Sequence, residues 1–102
     1  MTYEMTFAAL SEPTRRRIFE RLRQGPLSVR EVAFEMPVSR PAVSQHLKVL
    51  KDAGLVSVRN VGVRRLYCME PQGLMSLRDW LGGFWDDTLV AFKEAAESEA
   101  AK

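Results

Sequence analysis

Between Ser39 and Gly54 the chain places Arg40, Pro41, Ser44, Gln45 and Lys48 at spacings that fall on one side of a helix. Those residue types have a shared chemistry. A glutamine amide can bond adenine bidentately, a serine hydroxyl serves either kind of base, and cations neutralise phosphates. Val43, Leu47 and Leu50 recur at i, i+4 and i+7, an apolar stripe for burial on the other side. Ser39 suits the N-cap, Pro41 the first turn, and Gly54 the left-handed stop. Any surface helix has a polar outer face, so the surrounding elements decide what this one is for.

Other reactive side chains are isolated. His46 is the single histidine and has no Ser, Cys or carboxylate placed to complete a triad. It is a packed structural residue or a DNA contact, and both readings stay open. Cys68, the single cysteine, lies between Tyr67 and Met69 on an expected strand and reads as a small buried hydrophobe ahead of the alternative, a redox switch, since nothing nearby favours the thiolate. No glycine-rich phosphate loop, paired acid and base, or metal constellation is present, so no enzyme is expected.

The elements that position the polar helix follow from caps and breakers. Thr2 to Leu10 is a short N-terminal helix. Ser11-Glu12-Pro13-Thr14 opens a second, with Ile18, Phe19 and Leu22 inward and Gly25-Pro26 as its stop. Arg15, Arg16, Arg17, Arg21 and Arg23 stud it, with one or two expected to face phosphate. Ser28 and Glu31 form a capping box at the start of a third helix, whose apolar face is Val29, Val32, Ala33 and Met36. Met36-Pro37-Val38 connects it tightly to the polar helix, the spacing of a helix-turn-helix.

Beyond Gly54 the pattern turns extended. Leu55 to Arg59 and Val63 to Met69 are expected strands around an Asn60-Val61-Gly62 turn, with Arg59, Arg64 and Arg65 near the tip. A basic-tipped hairpin after a recognition helix is a wing. Pro71 then begins a long helix carrying Leu74, Leu77, Trp80, Leu81, Phe84, Trp85, Leu89 and Phe92. So much aromatic surface exceeds what the chain's own core can take, and pairing with a second copy would bury it. The aromatic cluster could instead line a ligand pocket, and Gly82-Gly83 could be a close helix approach at the dimer seam or a hinge.

The totals fit. The 102 residues allow one small domain with a net charge of +2. That charge is uneven: residues 12–65 carry +7 and the remainder −5. A basic body with an acidic tail region fits a nucleic-acid binder. The N-terminus lacks the basic start and apolar core of a signal peptide, and no apolar run suits a bilayer, so a cytoplasmic protein without membrane contact is expected.

These residues resemble the ArsR/SmtB family of bacterial repressors. The resemblance runs over residues 7–69: Ser11-Glu12-Pro13-Thr14-Arg15, Ser28 to Ala33, Val43-Ser44-Gln45-His46-Leu47-Lys48-Val49-Leu50, Ala53-Gly54-Leu55-Val56, the Gly62 turn and Tyr67. The last helix, with Trp80, Trp85 and Leu89, is similar to the branch found alongside START-like (SRPBCC) proteins. The resemblance implies a mainly α fold with a two-stranded β-hairpin wing, a winged helix-turn-helix that dimerises through its terminal helices. It implies a homodimer that binds double-stranded DNA at an operator and represses transcription, and two paired recognition helices would suit an inverted-repeat operator. Family metal sites use a Cys pair in the third helix or Asp, His and Glu in the last. Here the third helix has Val32, Ala33 and Phe34, and the last has Asp79, Asp86 and Asp87 without histidine, so neither metal nor cofactor is expected. An effector or regulatory protein partner stays unidentified.

The expected organisation is one domain over 1–102. It divides into an N-terminal helix (1–10), a DNA-binding core (11–70, wing 55–69), a dimerisation helix (71–93) and a frayed tail (94–102). The expected DNA-binding set is Arg40, Pro41, Ser44, Gln45, His46 and Lys48 with Arg59, Arg64 and Arg65. The expected dimer interface is Phe7, Leu77, Trp80, Leu81, Phe84, Trp85, Leu89 and Phe92. The competing class is a winged-helix protein–protein adaptor without DNA binding, which the basic central segment disfavours.

Overall fold

The structure, a computed structural model, describes residues 2–101. Its helices are α1 (Tyr3–Ser11), α2 (Pro13–Leu22), α3 (Val29–Glu35) and α4 (Arg40–Asp52); then come strands β1 (Val56–Val61) and β2 (Arg64–Met69), and helix α5 (Pro71–Ala100). This is the winged helix-turn-helix arrangement expected from the sequence.

Each helix begins where a side chain can satisfy an orphan backbone N–H. Thr2 caps α1, and Glu12 both ends α1 and caps α2, its carboxylate accepting from the Arg15 N–H at 2.7 Å. The capping box on α3 is complete: the Glu31 N–H donates to Ser28 Oγ at 3.2 Å, and the Ser28 N–H donates to Glu31 Oε1 at 3.0 Å. Ser39 Oγ accepts from the Ala42 N–H at 3.3 Å to start α4. Gly54, at φ +74°, ends it.

The core lies among α2, α3, α4 and the base of the hairpin. Ile18, Val32, Val43, Leu47, Leu50 and Leu55 are fully buried, with Phe19, Leu22, Leu27, Val56 and Tyr67 around them. On α3 only Val32 is fully buried; Val29, Ala33 and Met36 pack at its margin. The hairpin is antiparallel, with Val56 opposite Met69 and Val61 opposite Arg64. A two-stranded hairpin is marginal by itself. Leu27 supports it with a backbone pair to Tyr67, bonds of 3.1 and 2.8 Å, before α3 begins.

Two boundaries differ from expectation. The strands meet at a two-residue Gly62-Val63 turn rather than at Asn60-Val61-Gly62, which instead lies partly within β1. Gly62 has φ +63° and no non-glycine residue among the described residues has positive φ, which fits a II′ turn with glycine first. That turn's twist matches the strands', and β1 runs two residues further than expected, to Val61, while β2 begins at Arg64 rather than Val63. The second difference is at the C-terminus: α5 continues through residues 94–100, expected to fray, up to Ala100. Alanine and glutamate are strong helix formers, and extending a formed helix avoids the cost of nucleating one. Lys93 and Glu97, 3.9 Å apart, add an i,i+4 pair.

Helix α5 docks only through its first half. Thr6 is fully buried and its hydroxyl donates to the Gly73 carbonyl at 3.2 Å. Gly73 sits against the end of α4, its N–H donating to the Gly54 carbonyl at 2.9 Å. Further along, Trp80 stacks on Tyr3 at 5.1 Å and meets Phe7 and Phe84 edge-on at 5.6 and 4.9 Å. The far half projects, stretching the molecule to 68 Å against 25 and 22 Å across. No helix among the described residues is long and apolar enough to cross a membrane.

Candidate nucleic-acid interface

Helix α4 is divided as its spacing dictates. Val43, Leu47 and Leu50 have no exposed surface, while Arg40, Pro41, Ser44, Gln45 and Lys48 are all exposed on the outer side. The buried stripe fixes the rotation of the helix, and thereby aims the polar residues outward. Lys48 Nζ lies 4.0 Å from Asp52 one turn on, both well exposed, a pairing weak enough to yield to a phosphate.

His46 stands apart from that face. It is half-buried, and its Nδ1 lies 3.8 Å from Glu12 Oε2 at the start of α2. The structure thus gives this residue of the expected DNA-binding set an inward, helix-joining position. One α-helical step of about 100° beyond Gln45 carries it off the outer face and toward α2. The Glu12 carboxyl is held below the usual glutamate range, chiefly by the Arg15 N–H it accepts, with His46 adding a smaller electrostatic contribution.

The wing arginines have three different surroundings. Arg64 reaches across to α3, its Nη2 2.6 Å from Glu31 Oε1. Glu31 is also held below the usual range, first by the Ser28 N–H and hydroxyl and then by Arg64. Arg65 lies over the Tyr67 ring at 5.7 Å from its centroid. Arg59 is exposed and has no ion pair or side-chain hydrogen bond among the described residues.

Several cations that looked available in the sequence are occupied by the fold. Arg15 Nε donates to the Ala9 carbonyl at 2.6 Å and Arg16 Nη1 to the Leu10 carbonyl at 2.8 Å. They satisfy the unpaired carbonyls at the end of α1. Arg21 binds Glu35 through two bonds of 2.6 and 3.0 Å, which raise the guanidinium pKa. This leaves Arg17 on α2 and Arg23 at its C-cap without side-chain partners among the described residues. Two residues not singled out from the sequence stand near the start of α4: Arg30 and Phe34 of α3 line one pocket with Arg40, and Phe34 is 91% exposed. Their signal was the i, i+4 spacing of exposed positions on the helix preceding α4.

Cys68 is half-buried rather than buried, opposite Ser57 on the hairpin. Among the described residues no group of three or more His, Cys, Asp or Glu could hold a metal ion. Trp80 packs against Tyr3, Phe7 and Phe84, whereas Trp85 lines an apolar groove with Leu77, Leu81 and Gly82. Of the expected dimer residues, Phe7, Leu81, Phe84, Trp85, Leu89 and Phe92 are exposed and Leu77 and Trp80 are half-buried.

Comparison with known proteins agrees with this geometry. Residues 12–58 match the family described as bacterial regulatory protein, arsR family. The chain is 51% identical over 96 residues to the HTH-type transcriptional regulator Rv2034 of Mycobacterium tuberculosis, covering 94% of this chain and 90% of that one. It is 32% identical over 78 residues to the transcriptional repressor SdpR of Bacillus subtilis, covering 76% and 87%. Among solved structures it is similar to a "possible transcriptional regulator for arsenical resistance" (TM-score 0.70, 45% identity, 84% and 93% covered). It is also similar to the homodimeric winged helix-turn-helix DNA-binding domain of a possible ArsR-family regulator from Mycobacterium bovis (TM-score 0.62, 27% identity, 88% and 78% covered). With its exposed polar face on α4, its wing and these relatives, the chain belongs to the ArsR family of bacterial DNA-binding transcriptional regulators.

Proposed function

We propose that the protein is a homodimeric repressor that occupies an inverted-repeat operator, with α4 of each copy in a major groove. The observation that carries this reading is the division of α4: three fully buried residues hold the helix, and four polar or cationic neighbours face solvent together with Pro41. Gln45 and Ser44 contact base edges, while Arg40 and Lys48 contact phosphate and Pro41 packs at the groove wall. Arg59 and Arg65 meet the backbone beside the wing, and Arg64 does so while tethered to Glu31. Arg30 joins them, since the first helix of such a motif crosses the backbone. His46 acts through Glu12, holding α4 against α2. The naming of a relative as a repressor supports repression, and the homodimeric neighbour supports pairing. DNA as target makes the cytoplasm the place of action, and the reading assigns no catalysis, metal or cofactor.

The test is selection of bound genomic fragments by the purified protein, followed by gel retardation of the best fragment at two salt concentrations. A shared inverted repeat, bound more weakly at high salt, is the expected result. Failure to retard any duplex would favour the adaptor instead.

A further inference from the structure

A groove of about 670 Å³ lies between α3 and the start of α4, and its charged and aromatic lining is Arg21, Arg30, Glu31, Phe34, Glu35 and Arg40. The two carboxylates are already engaged within the chain, Glu35 with Arg21 and Glu31 with Arg64, each at 2.6 Å. Arg30 and Arg40 are exposed and have no ion pair or side-chain hydrogen bond among the described residues. Their two positive charges are therefore left uncompensated at the groove. Phe34 stands one turn after Arg30 on the same face of α3. Its ring is 91% exposed and meets no other ring among the described residues, so the chain's own packing does not account for it.

We propose that this groove holds the sugar–phosphate backbone of one operator strand, with the Phe34 ring packed on a deoxyribose and Arg30 and Arg40 on the phosphates beside it. This deepens the DNA-binding reading above and rests on it. Two free cations with an apolar ring beside them match a strand in which anionic phosphates alternate with apolar sugar faces. Bases stay stacked inside a duplex, whereas its sugars line the outside, so the sugar is what an exposed ring on α3 meets. The groove is also continuous with the polar face of α4, because Arg40 is the first residue of that helix. An occupant seated there adjoins the DNA that α4 reads, and an acidic protein partner would have to compete with the operator for Arg40. A sugar carries no sequence information, so Phe34 supplies affinity and register and no base preference.

Hydroxyl-radical footprinting tests the contact, because the radical cleaves DNA by attacking exposed deoxyribose. The full chain is used on the best genomic fragment selected by the wild type, with Phe34→Ala, Phe34→Leu and Arg30→Gln as variants. Phe34→Ala keeps the wild-type circular dichroism, weakens binding about tenfold and restores cleavage at a sugar that the wild type protects. Its salt slope and its preference among fragments varied at single positions stay those of the wild type. Phe34→Leu, which keeps an apolar side chain, recovers most of the affinity. Arg30→Gln instead lowers the slope of affinity against salt by about one unit per half-site. Wild-type affinity and footprint in Phe34→Ala overturn the assignment, leave the α4 reading standing and return the groove to a protein partner. A base preference that relaxes in Phe34→Ala also overturns it, since the ring then lies on a base. A wild-type protein that retards no duplex overturns both readings.

Discussion

Neighbouring residues on α4 have separable roles. Gln45 and Lys48 are both exposed on the outer face, one able to read a base and the other only a charge. Gln45→Ala should cost about 1–3 kcal/mol at one operator position and relax the preference there. Lys48→Ala should weaken all duplexes alike and lower the slope of affinity against salt by about one unit. Binding to operators varied at single positions, repeated across salt, measures both. If the double change leaves operator affinity undiminished, α4 is not the reading element. Glu12 gives a pH signature. Its carboxyl is lowered in the folded state by the Arg15 N–H, so the stability it contributes is complete above the unfolded glutamate value and is lost as pH falls through the folded one. Thermal melting should therefore separate wild type from Glu12→Gln at neutral pH, and the gap should close on acidification. A gap that widens in acid would contradict the assignment of Glu12 as a charged cap.

At the scale of elements, glycines that look alike in sequence have opposite structural meanings. Gly73 lies where α5 meets the end of α4: an added Cβ would be 2.8 Å from the Ala53 carbonyl oxygen and 2.9 Å from that of Gly54. Both are backbone atoms, so the clash cannot be relieved by a rotamer. Gly73→Ala should destabilise by about 1–3 kcal/mol, the usual cost of overpacking. Gly83 is exposed with open space around it, so Gly83→Ala should stabilise the helix by roughly 0.5–1 kcal/mol. Urea denaturation of the two variants at matched concentration decides between these signs. The close approach within the chain is thus at Gly73, near the start of α5, and not at Gly82-Gly83. The arginines of α2 make a related point: Arg15 and Arg16 close the end of α1, and Arg21 ties α2 to α3.

For the whole molecule, the geometry of the pair determines the geometry of the operator. Two recognition helices held by one interface should engage half-sites about 34 Å apart, one turn of duplex. Inserting about half a turn of DNA between the half-sites rotates one away from its helix and should reduce binding to that of a single half-site, whereas a full turn restores the facing. Competition gel retardation with the spaced duplexes measures this. Equal binding at every spacing would mean that each copy acts alone. The 68 Å length of one chain comes from the projecting half of α5, on which Trp85, Leu89 and Phe92 are exposed.

The sequence by itself determined the elements and the orientation of α4, because caps, breakers and apolar spacing are local. Ser28 with Glu31, Pro41, Gly54 and the Val43, Leu47 and Leu50 stripe each act within a few residues of themselves. Only the tertiary structure decided where the cations go. Whether an arginine meets solvent, a helix end or a carboxylate depends on elements brought together from a distance, as when Arg64 finds Glu31 across 33 residues. The same holds for His46 beside Glu12 and for Gly73 against Gly54, contacts that no local pattern encodes. The hairpin turn fell between these cases: one glycine marked it, but strand pairing chose Gly62-Val63 over the neighbouring register.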